Sequence, residues 1–350
     1  MSVEKFLDRL KLRHPIIQAP MGGFTTPRLV AAVTNGGALG SIGAPYFSPD
    51  QIAREIAEVR ALTTGTFGIN VFAGGYATEN TVDPAPMLKL LGDIHVELGL
   101  PAPSMPPLGK NPVSAQIDAV VAARPPVFSF AFGIPPEGDL QKVRDAGIFI
   151  IGTATNLDEA CALENAGVNA IAAQGGEAGA HRGTFLGRFE DAMMPTLDLV
   201  EAITKTVSLP VIAAGGLMDG ADIAAALKRG AVAGQLGTAF LCCPEAGTAP
   251  THRQALLAAQ ADTTRVTRAY SGRNARGLVT AFMERVDPRP DMILPFPLQN
   301  DLTRPMRGAA TKAGDARFLS LWAGQGVARC RALPAADLIA ALAAELAAAG

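Results

Sequence analysis

Eight short apolar segments recur along the chain, and nearly every one is followed by a helical pattern. They lie at 15–18, 37–42, 67–72, 127–130, 149–152, 168–173, 211–214 and 232–236. These segments lack a polar face, which is typical of parallel strands buried on both sides. Regular alternation of strand and helix predicts an α/β fold, and eight units predict a closed TIM (β/α)8 barrel. An open doubly wound sheet is the competing architecture, but the strand count and the even spacing favour the barrel.

Two stretches interrupt this alternation. Residues 73–112 mix Gly, Pro and polar residues around one helix expected near 87–98, and we interpret them as an insertion. After residue 241 the alternation stops, until an Ala-rich pattern at 335–349 predicts a closing helix. The sequence therefore predicts three parts: a barrel over 1–241 whose insertion 73–112 reaches toward the cap, a capping substrate subdomain over 242–325, and a C-terminal segment over 326–350 that returns to the barrel.

Charge and cysteine content limit the classes of partner. The net charge is −2 and no basic cluster occurs, so neither nucleic acid nor a membrane surface is an expected partner. The chain has neither a signal-peptide pattern nor an apolar run of membrane-spanning length, which predicts a cytoplasmic location. The four cysteines lack metal-ligand spacing, so no metal site is predicted, and Cys242 and Cys243 are expected to be buried packing residues. A homo-oligomer remains an open alternative.

The loop after the sixth predicted strand contains the strongest candidate for chemistry. Residues 174–183 hold four glycines and His181, the only histidine in the middle of the chain. In β/α proteins the loops at the carboxyl ends of the strands carry the active site. An imidazole with an ordinary pKa of about 6.5 is usable as a base at neutral pH. A lone histidine is more often incidental, so this interpretation depends on its surroundings.

Glycine-rich ends of the last two strands predict a phosphate site. Gly215, Gly216 and Thr238 follow the seventh and eighth predicted strands, where barrels commonly bind phosphate through backbone N–H groups. Neutral amides at other strand ends suit a heteroaromatic ring, and these are Gln18, Asn70 and Gln174. A phosphate together with a ring indicates a mononucleotide, and FMN is the leading candidate in a barrel.

Seven motifs together resemble one enzyme family. They are 18–23 (QAPMGG), 68–70 (GIN), 174–183 (QGGEAGAHRG), 210–216 (PVIAAGG), 237–241 (GTAFL), 271–277 (SGRNARG) and 321–325 (LWAGQ). This set is similar to the nitronate monooxygenases, formerly called 2-nitropropane dioxygenases, and its last two motifs resemble the class I branch. Two positions depart from the family pattern: Ala180 stands where a second glycine is frequent, and Leu236 lies within the segment 235–238.

The resemblance implies an FMN enzyme that oxidises alkyl nitronates with O₂ to a carbonyl compound and nitrite, without a metal. It implies His181 as the base for a neutral nitroalkane or as the group that positions a nitronate. The cofactor-binding residues implied are Pro20, Met21, Gly22, Asn70, Gln174, Gly179, Gly215, Gly216, Gln235, Leu236, Gly237 and Thr238.

The substrate suggested by the resemblance is propionate 3-nitronate. Its carboxylate would pair with an arginine, and the candidates are Arg182, Arg273 and Arg276. The alternative function is an FMN-dependent NAD(P)H:quinone reductase or enoyl-thioester reductase of related fold. Segments 271–277 and 321–325 favour the nitronate enzyme.

Overall fold

The computed structural model describes residues 1–350, and eleven strands form two sheets. The strands are β1 (Ile16–Gln18), β2 (Gly40–Gly43), β3 (Phe67–Phe72), β4 (Val127–Ala131), β5 (Phe149–Ala154), β6 (Ala170–Gln174), β7 (Ala180–His181), β8 (Val211–Ala214), β9 (Ala233–Leu236), β10 (Thr264–Thr267) and β11 (Ala275–Leu278). Eight of them pair in parallel in the order β1-β9-β8-β6-β5-β4-β3-β2. A parallel bridge between Ile17 and Leu39 joins β1 to the approach of β2, so the barrel closes.

Thirteen α-helices accompany these strands. They are α1 (Val3–Leu10), α2 (Pro27–Asn35), α3 (Pro49–Leu62), α4 (Ala85–Glu97), α5 (Val113–Ala123), α6 (Glu137–Asp145), α7 (Leu157–Asn165), α8 (Thr196–Thr206), α9 (Gly220–Lys228), α10 (Pro250–Ala258), α11 (Ala281–Val286), α12 (Leu298–Ala313) and α13 (Ala335–Ala349). Side-chain caps fix several starts; at α3, Ser48 and Gln51 form a reciprocal capping box. No helix combines the length and the apolar character needed to cross a membrane.

The amino-terminal helix α1 packs against the interior of the barrel. Phe6 and Leu10 are buried in one cluster with inward residues of six barrel strands, and the rings of Phe6 and Phe149 meet edge to face at 6.2 Å. Aromatic burial of this kind contributes a few kcal/mol per side chain. One end of the barrel is thereby filled, which leaves the carboxyl ends of the strands as the open face.

A second hydrophobic cluster forms a cap over that open face. Its 24 buried residues come from α4 and from the chain between 241 and 327. A three-stranded antiparallel sheet, β10-β11-β7, runs through the cap and includes His181, which pairs with Ala275. The helix α13 packs instead with the outer barrel helices. The predicted division at 241 and 325 stays a prediction, since the barrel cluster also includes Cys243 and Ala246.

The predicted TIM barrel is confirmed by the eight parallel strands. The cap, however, contains more regular structure than the sequence predicted. Its helices α10 and α12, the latter of 16 residues, and its strands β10 and β11 have no counterpart among the elements predicted above. Pro305 lies inside α12 and interrupts the helical signal there, although Leu298, Leu302, Met306 and Ala310 recur at a helical spacing of four residues.

Candidate active site

A cavity of about 480 Å³ lies at the carboxyl ends of the barrel strands, beneath the cap. Twelve of the predicted site residues line it: Pro20, Met21, Gly22, Asn70, Gln174, Gly179, His181, Gly215, Gly216, Gln235, Gly237 and Thr238. Leu236 does not; it is 1% exposed and packs in the barrel core. Gln18 is also outside the cavity, because its amide bonds both the N–H and the C=O of Ser41 across the barrel seam.

The loops after β8 and β9 form a glycine cradle on one wall of this cavity. Gly215 and Gly216 have φ values of +126° and +72°, which L side chains rarely adopt. The backbone N–H groups of Gly215, Gly216 and Gly237 find no acceptor within the protein. Unpaired N–H groups in the lining of one cavity suit an anion such as a phosphate. The hydroxyl of Thr238 accepts a bond from the N–H of Gly324 at 2.9 Å, and its own hydrogen remains available to donate to a ligand.

The amide side chains in the cavity differ in what they offer a ligand. The Gln174 amide donates to the C=O of His181 at 3.0 Å and accepts from the N–H of Gly183 at 2.7 Å. It therefore braces the histidine loop. Asn70 donates to Ser129 Oγ at 2.9 Å, which leaves its carbonyl oxygen free. Gln235 makes no side-chain hydrogen bond within the protein and is fully available.

His181 stands in an aromatic chamber. The rings of Phe72, Phe132, Phe296 and Trp322 have centroids within 5.6 to 6.5 Å of its imidazole. Its Nε2 lies 2.8 Å from the hydroxyl oxygen of Ser271. That hydroxyl also lies 3.1 Å from the C=O of Arg273, to which it can donate its single hydrogen. We assign the tautomer in which His181 donates from Nε2–H to Ser271, because the hydroxyl then makes both contacts; the lone pair is on Nδ1, which has no partner in the protein.

The electrostatics of the chamber keep this imidazole neutral. Burial lowers the pKa of His181 to about 3, and the positive charges of Arg273 and Arg307 act in the same direction. A neutral histidine can accept a hydrogen bond or a proton at Nδ1 at neutral pH. Its low pKa makes it a weak base, so the chamber is better suited to orienting an anion than to removing a proton from a neutral acid.

The three arginines predicted to meet the substrate do not line the cavity. Arg182, which is 2% exposed, donates to the backbone carbonyls of Gln174, Gly175 and Ala192. Arg276 donates to the C=O of Gly176 and to Thr264 Oγ1.

Arg273, the third of these, donates to the C=O of Thr184 and stacks its guanidinium 3.9 Å from the ring centroid of Phe132. All three guanidinium groups are thus used to fix loops around the site. Their positions give no support to direct substrate contact.

Two other arginines, which the sequence did not single out, reach the cavity from α12. Arg304 is exposed, pairs with Asp301 at 2.7 Å and lies near the ring of Tyr46 at the cavity wall. Arg307 donates to the C=O and side-chain oxygen of Asn300, and its buried Nε has no partner. Burial lowers the pKa of Arg307, and no carboxylate forms an ion pair with it. A cavity-lining cation without a counterion favours an anionic ligand.

Trp322 lines the cavity opposite the barrel wall and was noted only as part of a motif. Its C=O accepts a bond from Nε2 of His252 at 3.2 Å, and the chain beside it is bridged to Gly277 of β11. His252 has its pKa lowered to about 4 by burial, so it is neutral and structural. The predicted barrel residues thus line the cavity together with cap residues. The rule that site residues follow the carboxyl ends of barrel strands could not locate these cap residues.

The fold and the cavity define the class: a TIM-barrel enzyme whose site combines an anion-accepting cradle with a partly buried, neutral histidine. Comparison with known proteins makes this specific. The family model described as nitronate monooxygenase matches residues 4–345. The chain belongs to the nitronate monooxygenase family, and it is an oxidoreductase.

Individual relatives agree with this assignment. A probable nitronate monooxygenase of Staphylococcus aureus (strain JH9) is 41% identical over 322 residues, which cover 92% of this chain and 91% of the relative. The crystal structure of nitroalkane oxidase from Streptomyces ansochromogenes is 39% identical, covers 98% of both chains and superposes with a TM-score of 0.92. FabK from Thermotoga maritima is more distant, at 27% identity, with 98% and 96% coverage and a TM-score of 0.77.

Proposed function

We propose that this protein is an FMN-dependent enzyme that oxidises alkyl nitronates with O₂ to a carbonyl compound and nitrite. The observation that carries the proposal is the neutral imidazole of His181, enclosed by aromatic rings in the same cavity as the glycine cradle. Family membership and the likeness to a nitroalkane oxidase support the reaction class.

The residues present fit a flavin mononucleotide. The unpaired N–H groups of Gly215, Gly216 and Gly237 would hold its phosphate. Glycine is required at position 216, because a Cβ there would lie only 2.9 Å from Glu177 and crowd the cradle. The free amide of Gln235 and the free carbonyl of Asn70 would meet polar edges of the cofactor. Bound there, the flavin supplies the electron acceptor for the nitronate.

His181 would position the nitronate. Nδ1 is free, while Nε2–H is anchored on Ser271, so the ring orientation is fixed before the ligand arrives. A nitronate is already deprotonated at carbon, so its oxidation needs no strong base. Because the low pKa of His181 disfavours proton abstraction, we expect nitronates to react better than neutral nitroalkanes.

Arg307 replaces Arg182, Arg273 and Arg276 as the residue proposed to meet a substrate carboxylate. It lines the same cavity as Tyr46 and Arg304, and it is near enough to His181 for its charge to act on the imidazole. A nitronate with its reactive end at His181 would therefore direct a carboxylate tail toward Arg307. Propionate 3-nitronate has this arrangement.

An anaerobic reduction experiment tests the proposed function. The purified, FMN-loaded protein is mixed without O₂ with propionate 3-nitronate and, separately, with NADH, and flavin absorbance is followed. We expect the nitronate to bleach the flavin and, once O₂ is admitted, to yield nitrite. Rapid bleaching by NADH with none by the nitronate would refute the proposal in favour of the reductase alternative.

A matched pair of variants tests the role of the histidine. His181→Asn should lower turnover of nitronates while FMN stays bound, because the cradle is untouched. His14→Asn, at a site outside the cavity, should leave turnover unchanged. Equal rates for His181→Asn and the unmodified protein would remove His181 from the mechanism.

A further inference from the structure

Phe132 has a backbone conformation that residues other than glycine rarely adopt. It directly follows β4 and has a φ of +71°. A left-handed conformation at an aromatic residue is a costly outlier, and such outliers concentrate at functional sites. Phe132 is 2% exposed, lines the cavity, and is the only one of the four aromatic residues around His181 with a positive φ. The contacts of its ring must offset the cost of this backbone.

Three side chains hold the ring of Phe132. The guanidinium carbon of Arg273 lies 3.9 Å from the ring centroid, which is a close cation–π distance. The ring of Phe72 lies 4.1 Å away between centroids, with 31° between the two planes. The ring of Phe296, from the cap, meets it edge to face at 6.3 Å. Contacts from the barrel and from the cap therefore fix the orientation of this ring.

Two glycines leave the space that this arrangement needs. A Cβ at Gly74 would lie 2.7 Å from the carbonyl oxygen of Phe132. A Cβ at Gly75 would clash with Nη1 of Arg273. Arg273 itself does not line the cavity, and its Nη2 donates to the C=O of Thr184. It therefore holds the ring without meeting a ligand.

The fixed ring of Phe132 limits the space beside His181. The two ring centroids are 5.8 Å apart, and the planes meet at 81°. Close-packed protein interiors give way little, so a ring that is held by several neighbours acts as a wall. A nitronate with its reactive end at His181 would place the substituent of its reacting carbon among the rings of this chamber. The size of that substituent is then limited by Phe132.

We propose that Phe132, held in place by Arg273, fills the space that an aromatic substituent on the reacting carbon would need, and so restricts the enzyme to aliphatic nitronates. Phe132 is then a specificity-determining residue, and Arg273 is a positioning residue that acts through it. This role rests on the proposed oxidation of nitronates, and it narrows the substrate class to those that carry alkyl chains.

A substrate matched to the missing ring tests this role. The FMN-loaded protein is assayed with ethyl nitronate and with phenylmethane nitronate, whose reacting carbon carries a phenyl ring. Phe132→Ala should raise kcat/KM for phenylmethane nitronate relative to ethyl nitronate about 10- to 100-fold, because an apolar hole of ring shape can bury the phenyl group. Phe185→Ala, at an aromatic residue outside the cavity, should leave this ratio unchanged. An unchanged ratio in Phe132→Ala, or an unmodified enzyme that prefers the aryl substrate, would overturn the proposal.

Ligand binding provides a readout that needs no turnover. Trp322 is the only tryptophan, and its ring lies 5.6 Å from the imidazole of His181, so its fluorescence reports on ligands in the chamber. Acetate and benzoate are unreactive planar anions that carry a methyl group and a phenyl ring, respectively. Phe132→Ala should bind benzoate at least about tenfold more tightly than the unmodified protein does, and acetate within about twofold. Equal changes for the two anions would overturn the proposal, whereas tighter benzoate binding without turnover of any nitronate would refute only the proposed oxidation.

Two further variants address the strained backbone and the role of Arg273. Phe132→Gly opens the same space and adopts the left-handed conformation freely, so it should match Phe132→Ala in specificity and have a thermal midpoint about 1 to 3 °C higher. A glycine variant less stable than the alanine variant would refute the strain. Arg273→Lys keeps the charge but not the planar stack, so it should raise the aryl-to-alkyl ratio of kcat/KM about threefold or more. Equal losses for both substrates in Arg273→Lys would make this arginine purely structural and overturn its part in the proposal.

Discussion

Replacement of Arg182 by methionine tests whether this arginine supports the histidine loop or meets the substrate. The guanidinium is buried and donates to three backbone carbonyls, at Gln174, Gly175 and Ala192. Burial lowers its pKa to about 10, so it remains charged at neutral pH. Methionine fills similar space but donates nothing, which leaves three buried carbonyls without their donor.

The expected loss follows from those contacts. Each unsatisfied buried carbonyl costs about 1 to 3 kcal/mol of stability. Removal of the buried cation also removes its desolvation cost, which offsets part of that loss. Arg182→Met should therefore lower the free energy of unfolding by about 3 to 5 kcal/mol. Urea unfolding followed by circular dichroism measures it. Arg188→Met is the matched control: its side chain is 76% exposed, and its pair with Glu190 spans 3.5 Å. The control should change stability by less than about 0.5 kcal/mol.

The result that would refute this reasoning is specific. If Arg182→Met unfolds within about 1 kcal/mol of the unmodified protein, the backbone carbonyls do not depend on the guanidinium. If it also loses turnover only for carboxylated nitronates, the original prediction of substrate contact is correct. Arg182→Lys, which keeps the charge but cannot reach three carbonyls, should give an intermediate loss of stability.

Three further outcomes are expected. Arg307→Gln should lower kcat/KM for propionate 3-nitronate about 10- to 100-fold and barely affect ethyl nitronate, and equal losses for both would count against a carboxylate contact. Gly216→Ala, at a backbone φ of +72°, should weaken FMN binding at least about tenfold, as measured by equilibrium dialysis. Gly138→Ala, which has open space around it, should leave the affinity unchanged. Equal affinities of the two variants would contradict phosphate binding by the glycine cradle. The third outcome concerns pH. The pKa of His181 is lowered to about 3 in the folded state, so stability is full above the unfolded pKa of about 6.5 and falls as pH drops toward 3. His181→Gln should therefore lose about 2 kcal/mol less than the unmodified protein between pH 7.5 and pH 5, and identical losses in urea titrations would argue against a neutral, buried imidazole.

The barrel was predictable because its signal is repeated and local. Each strand is apolar on both faces, and caps such as Ser48 and Thr26 mark helix starts directly in the sequence. The strand-end rule also predicts from the sequence that Asn70, Gln174 and His181 surround one opening, and all three line the cavity. The loop at Gly215 and Gly216 was also predictable, because a backbone position with positive φ favours glycine and glycine is visible in the sequence.

The cap was not predictable to the same depth, for physical reasons. The strands β10 and β11 have four residues each, and β7 has two, so no period can be measured in them. Helix α12 contains Pro305, so the sequence did not predict this helix. Arg307, which lies on it, was therefore not identified as a site residue. Sequence also cannot tell whether an arginine donates to a ligand or to backbone carbonyls, because both uses need the same side chain. The sequence therefore could not show that the side chains of Arg182, Arg273 and Arg276 lie outside the lining of the cavity.

Because β7 pairs with β11, substrate specificity should not be transferable between relatives by exchange of the cap alone. His181 belongs to a barrel loop by sequence, yet it lies opposite Ala275 of the cap in the β7–β11 pair, the next residue, Arg182, donates its N–H to the C=O of Asn274, and the Nε2 of His181 is held by Ser271. A cap exchanged between two relatives would thus carry away the partners that orient the histidine. Chimeras joined at residue 241 should lose the geometry of the reaction along with the old substrate preference. Within this family, barrel and cap are expected to evolve as one unit, and new specificities should arise by point substitutions along α12.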